Sequence, residues 1–109
     1  MKYSRACVFT ALWFATLAHA ADDGAAQSQA LFRSRCGMCH LEGGFGSGVL
    51  ARRLGQKKSL LENRDDLTAL YVQQVVRNGF GSMPAFTKVE LTQRELQVIA
   101  RYLASRQRR

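Results

Sequence analysis

The chain has 109 residues, enough for one domain but too few to bury a large core without internal support. Hydrophobic residues make up 47% of it, which excludes a chain disordered by composition. Sixteen Lys and Arg stand against eight Asp and Glu, a formal charge of +8, so any charged partner should be acidic.

Residues 1–20 read as a secretory signal. Lys2 and Arg5 open it, an apolar run through Val8, Phe9, Leu12, Trp13 and Phe14 follows, and Ala18-His19-Ala20 closes it as a small-x-small cleavage pattern. The run is shorter than the roughly 20 residues of a spanning helix. No later stretch is long and apolar enough to span, so the mature chain is expected to carry no membrane span. Cleavage after Ala20 leaves residues 21–109 as one domain, with Cys36 and Cys39, His40, and Met38 and Met83 as its sulfur and imidazole side chains. Losing Lys2 and Arg5 lowers the charge from +8 to +6. Cys7 sits too early for a lipoprotein acylation site.

Residues 21–27 form a polar lead-in. A helix is predicted over 26–39, with Ala30, Leu31, Ser34 and Met38 on one face and Phe32 and Cys36 on the neighbouring one. Residues 41–48 hold four glycines and read as loop. Residues 49–54 can make a short turn and 59–64 a short helix. Residues 66–77 form a stronger helix, capped by Asp65 or Asp66, with a wide apolar face from Leu67, Leu70, Tyr71, Val72, Val75 and Val76 and a stop at Asn78-Gly79. Residues 91–105 have the clearest signal: a Thr92–Glu95 capping box, Leu91 and Leu96 as a hydrophobic staple, and an inward stripe of Leu96, Ile99, Ala100 and Leu103. Residues 106–109 read as a frayed, solvated tail. No run alternates at period two, so little or no sheet is expected and the fold class is all-α.

Cys36-Gly37-Met38-Cys39-His40 is C-x-x-C-H, the attachment sequence of c-type haem. Two thiols three positions apart lie on one side of a helical turn, one for each vinyl group, and His40 follows where its imidazole can reach the iron. A Cys36–Cys39 disulfide fits an oxidising compartment. A thioredoxin-like pair needs βαβ units, and none is visible. A zinc site needs four ligands, and the mature chain offers three. Haem fits motif, export signal and size together.

A six-coordinate haem needs a second axial ligand, commonly methionine opposite histidine. His40 is the only histidine left after processing. Met38 lies on the attachment turn and cannot reach the far face of the ring, which leaves Met83. It sits in Asn78-Gly79-Phe80-Gly81-Ser82-Met83-Pro84-Ala85-Phe86, where glycines let the chain turn and Pro84 holds Met83 extended. The bland alternative is a methionine that only packs. Ligation by His40 and Met83 leaves no open position on iron, which argues for electron transfer and against catalysis.

With these motifs placed, residues 26–104 resemble a class I cytochrome c. The resemblance implies an all-α fold in which N- and C-terminal helices pack together around one covalently bound haem, with Phe32, Leu96, Ile99 and Tyr102 as their contact. A narrower resemblance, through Val75-Val76-Arg77-Asn78-Gly79-Phe80 and Met83-Pro84-Ala85-Phe86, is to the cytochrome subunits of p-cresol methylhydroxylase-type flavoprotein dehydrogenases. The family often has a proline after the attachment motif whose carbonyl accepts from the ligand histidine. Pro84 is the only proline here, so Gly48 or a neighbour is expected to supply that carbonyl.

Arg52, Arg53, Lys57 and Lys58 either compensate haem propionates, dock an acidic redox partner, or form a solvated basic surface. Nucleic-acid binding is a poor reading, because the chain reads as exported and has no recognition motif. The expectation is a periplasmic, non-enzymatic electron carrier between a dehydrogenase and a cytochrome or oxidase. The alternatives are a tightly bound subunit of a flavin- or quinone-dependent dehydrogenase, or a haem enzyme or gas sensor with a labile Met83.

Overall fold

The computed structural model describes residues 16–106, with side chains from residue 23 onward. The start of the expected signal segment and the tail beyond Arg106 lie outside the described residues. Helix α1 spans Thr16–His40, α2 Phe45–Leu54, α3 Ala69–Asn78 and α4 Gln93–Ser105, with single-turn 3-10 helices at Gln56–Lys58 and Leu61–Asn63. Among the described residues there is no strand. The nearest approach to pairing is the double backbone bond between Phe80 and Met83, 3.0 Å each way. No helix among them is long and apolar enough to cross a membrane.

The core is one cluster: Phe32 from α1, Leu67 before α3, Val72 and Val76 from α3, Leu91 before α4, and Leu96, Ile99, Ala100, Tyr102 and Leu103 from α4. The inward stripe of α4 is as predicted, because its period matches the helix and every member faces α1 or α3. The Phe32 and Tyr102 rings lie 6.0 Å apart, tilted by 38°, which is the expected meeting of the N- and C-terminal helices.

The two N-terminal ends use the same device. At α4, Thr92 Oγ1 accepts from Glu95 N at 3.2 Å and Glu95 Oε2 accepts from Thr92 N at 2.9 Å, a complete capping box. Leu91 and Leu96 close the staple, both buried. At α3 the cap is Thr68, whose Oγ1 accepts from Tyr71 N at 3.1 Å, with Leu67 and Val72 as the buried staple. Asp65 or Asp66 was expected to cap this helix. Instead Asp66 takes both donors of Arg64, at 2.8 and 2.7 Å, and Asp65 pairs with Lys58 at 2.9 Å. Burying Leu67 as the staple sets the helix start three residues later.

Other expectations are revised too. The polar lead-in at 21–27 is helical, part of α1. The face of α1 that enters the core carries Phe32, with Cys36 packed beside it. On the other expected face only Leu31 touches the core, and Met38 is 93% exposed. Helix α2 begins at Phe45, inside the glycine-rich stretch read as loop. A helical glycine costs about 0.5–1 kcal/mol relative to alanine, and close packing against the end of α1 offsets it. Arg106 is not frayed. Its Nε donates to Glu62 O at 3.2 Å and its guanidinium lies over the Tyr102 ring.

Glu62 joins these elements. Its Oε1 accepts from the Tyr102 hydroxyl of α4 and from Gln29 Nε2 of α1 at 3.1 Å, while Arg33 Nη2 stands 3.8 Å from Oε2. Burial pushes the carboxyl up, but the hydrogen bonds and the nearby Arg33 and Arg106 outweigh it and hold Glu62 below the usual range. Burial, and then the bond to Glu62, pushes the Tyr102 phenol up to about 12. The contribution of Glu62 is therefore full above the unfolded carboxylate range and fades as pH falls through the lowered folded value. That of Tyr102 is full below its unfolded value and fades only as pH rises toward 12. Tyr102→Phe is expected to destabilise the fold by about 1 kcal/mol at neutral pH. Denaturant unfolding should show that loss shrinking at acid pH.

Candidate haem site

The attachment motif occupies the last turn of α1. Cys36 and Cys39 are not joined to each other. Cys39 is exposed, while Cys36 packs against the core cluster. Burial pushes the Cys36 thiol up to about 11, with Arg35 pulling it down and Cys39 adding slightly to the rise.

His40 ends the helix. Burial lowers its pKa below the ordinary histidine value, so the ring is neutral near pH 7. A neutral imidazole is the form with a lone pair for a metal. Its Nδ1 is buried with no hydrogen-bond partner and stands close against Gly46. A carbonyl from Gly48 or a neighbour was expected at Nδ1, and none is there. The reason is the early start of α2. Gly48 lies within that helix, where carbonyls point along the axis, and the Gly44 carbonyl already accepts from Gly48 N at 3.0 Å.

Glycines seat α2 on the motif. A Cβ on Gly46 would lie 2.9 Å from Cys39 O, 3.0 Å from His40 Cε1 and 3.2 Å from Nδ1. One on Gly44 would lie 2.5 Å from Cys39 O. The buried Ser47 hydroxyl faces the same Cys39 carbonyl at 3.5 Å. The contact of Gly46 and Ser47 with the last turn of α1 was not predicted. Its only trace in the sequence is the glycine spacing, which also fits a loop.

Met83 sits half-buried in the segment between α3 and α4, packed against the same core cluster as Cys36. Gly79 stops α3 at φ +76, and a side chain there would press on Met83 O at 2.9 Å. Gly81, at φ +58, turns the chain inside the Phe80–Met83 pair. Arg77, missed as a site residue, reaches across from the end of α3 to the far half of this segment. Its Nη1 donates to Phe86 O and Thr87 O, both at 3.0 Å, and its Nη2 to Leu91 O at 2.9 Å.

The surroundings suit a flat apolar ring. Phe45, Leu54, Leu70, Tyr71 and Phe80, on α2, α3 and the Met83 segment, remain substantially exposed. Arg53 at the end of α2 lies 5.9 Å from the Phe80 ring, so α2 and the Met83 segment face each other. Exposed apolar side chains gathered on these elements offer a surface for an apolar ligand. Two thiols, a neutral imidazole with one nitrogen free and a thioether are donors that match a covalently held haem. Among the described residues no three of His, Cys, Asp and Glu gather as a metal-ion cluster, so the zinc alternative lacks its ligands. Of the basic residues, Lys58 is engaged with Asp65 and Arg53 lies over Phe80, while Arg52 and Lys57 are exposed and have no ion pair among the described residues.

The family model described as cytochrome c oxidase, cbb3-type, subunit III matches residues 23–103. No curated protein and no solved structure matches the chain.

Gly46→Ala should destabilise the protein by about 1–3 kcal/mol, because the carbonyl and ring it meets belong to the motif itself. Gly48 has nothing within 4 Å of a built Cβ and lies in a helix, so Gly48→Ala should stabilise by up to about 1 kcal/mol. Thermal unfolding of the two variants beside the parent checks the contrast.

Proposed function

Because the chain belongs to the c-type cytochrome family described as cytochrome c oxidase, cbb3-type, subunit III, and so carries covalently bound haem c with its iron, we propose that it is a periplasmic mono-haem electron carrier exported by residues 1–20. It takes single electrons from a dehydrogenase and passes them to a cytochrome or oxidase. The haem supplies an iron that cycles between Fe(III) and Fe(II). Cys36 and Cys39 would hold the ring as thioethers, and His40 and Met83 would supply the imidazole and thioether to its iron.

The observation that carries this reading is the ligand chemistry at two pinned points. Burial holds the His40 pKa below the ordinary histidine value, and its Nδ1 is buried beside Gly46, so Nε2 is the nitrogen it offers. Met83 is bonded to Phe80 through the backbone and packs on the core, so its thioether has little freedom to lose. Fixed ligands reorganise little between oxidation states. The apolar side chains of α2 and α3 keep water from the ring, and a methionine sulfur opposite histidine favours the reduced state and raises the potential. Arg52, Arg53 and Lys57 form the docking patch for an acidic redox partner.

The family's description names an oxidase subunit, and this favours a second reading: a chain held within a larger oxidoreductase. The resemblance to p-cresol methylhydroxylase-type cytochrome subunits points the same way, with a flavin- or quinone-dependent dehydrogenase as the larger partner. Stable co-purification with such a protein from the native source supports this second reading, and a lone carrier in size-exclusion chromatography rejects it.

Expressed with haem-maturation machinery, the purified protein should gain the mass of one haem. Its ferric form should show the weak far-red band of a Met–Fe(III) bond, and Met83→Ala should abolish that band. A colourless product, or a band that survives Met83→Ala, overturns the assignment.

A further inference from the structure

Arg77 makes an unusual set of contacts for a cation on a helix. Among the described residues it has no ion pair. Instead its two terminal nitrogens make four hydrogen bonds: to Phe86 O, Thr87 O and Leu91 O, and to Gln93 Oε1 at 3.2 Å. Gln93 is itself braced, its Nε2 donating to Gln73 Oε1 at 3.3 Å. Three of the four acceptors are main-chain carbonyls on the stretch from Met83 to α4. Among the backbone bonds of that stretch, Phe86 N to Val76 O at 2.8 Å is the other tie to the helices, beside the packing of Phe86 and Leu91 on the core. The half before Met83 is held separately, by Gly79 N on Val75 O at 2.8 Å and by the Phe80–Met83 pair.

We propose that Arg77 is a positioning residue for Met83: its planar fork fixes the carbonyls after Pro84 to the end of α3 and so sets where the thioether is presented. The inference rests on the reading of Met83 as an iron ligand. A guanidinium suits the task because it offers several donors in one rigid plane, whereas a lysine ammonium is a point charge on a flexible stem. Losing the fork frees the carbonyls of Phe86, Thr87 and Leu91, while Phe86 and Leu91 keep their packing on the core. The core cluster and the entry half stay in place, so the ligand loosens before the fold does.

The test is a competition at the ferric iron of the intact haem protein, with imidazole as the probe, because imidazole can bind only where Met83 lets go. Arg77→Met should bind imidazole about tenfold more tightly than the parent, a difference of about 1.4 kcal/mol, and Arg77→Lys should fall between the two. Tyr102→Phe lowers global stability without touching the Met83 segment and should bind as the parent does. Arg77 has no such role if Arg77→Met binds imidazole no more tightly than Tyr102→Phe does. If Arg77→Met does not accumulate, Arg77→Lys decides, and parent-like affinity there overturns the proposal. Failure of the ligand reading itself looks different: Met83→Ala would then bind imidazole no better than the parent.

Discussion

The seating of α1 against α4 through Phe32 and Tyr102 governs everything at the other end of α1. Phe32 lies one turn before Cys36, so a helix held there carries Cys36, Cys39 and His40 to a defined place. The polar bonds of Glu62 brace the same joint from the side, to Tyr102 on α4 and to Gln29 on α1. A short chain has little apolar area to spend. This one concentrates it in a single cluster that holds both the helix bearing the attachment motif and the segment bearing Met83.

The two halves of the site are built by opposite means. On the His40 side the fit comes from removing side chains: Gly44 and Gly46 bring the backbone of α2 against Cys39 and the imidazole, closer than any residue with a Cβ allows. On the Met83 side it comes from adding bonds, with the Phe80–Met83 pair before the sulfur and the Arg77 fork after it. Both leave the side chains of His40 and Met83, the proposed ligands, few conformations. That is the requirement for a metal that changes charge without moving its ligands.

Much of this was legible beforehand, where one local pattern had one physical outcome. The stripe of α4 and its Thr92–Glu95 box were readable because a helix period and a reciprocal cap are both local. The C-x-x-C-H motif was readable because its spacing is itself the chemistry. Met83 as the second ligand follows by elimination and is part of the proposal. What misled was chemistry with two local solutions. Asp65 and Asp66 are good caps, but Lys58 and Arg64 compete for them, and Thr68 caps instead. Glycines at 43–48 are good loop formers, yet two of them serve a close helix packing that cannot be seen before the partner helix is in place.

The sequence alone determined the helical class, the covalent attachment motif and the identity of the remaining sulfur and imidazole donors. Each of these depends on residue type and on spacings of a few positions, which the covalent chain itself enforces. Tertiary structure decided the start of α2, the loss of the expected carbonyl partner for His40, the Glu62 junction and the reach of Arg77 to residues 86–93. Those depend on which side chains meet after the chain has turned back on itself. Such meetings are selected by burial and by competition among several possible partners, and no local spacing records which partner wins.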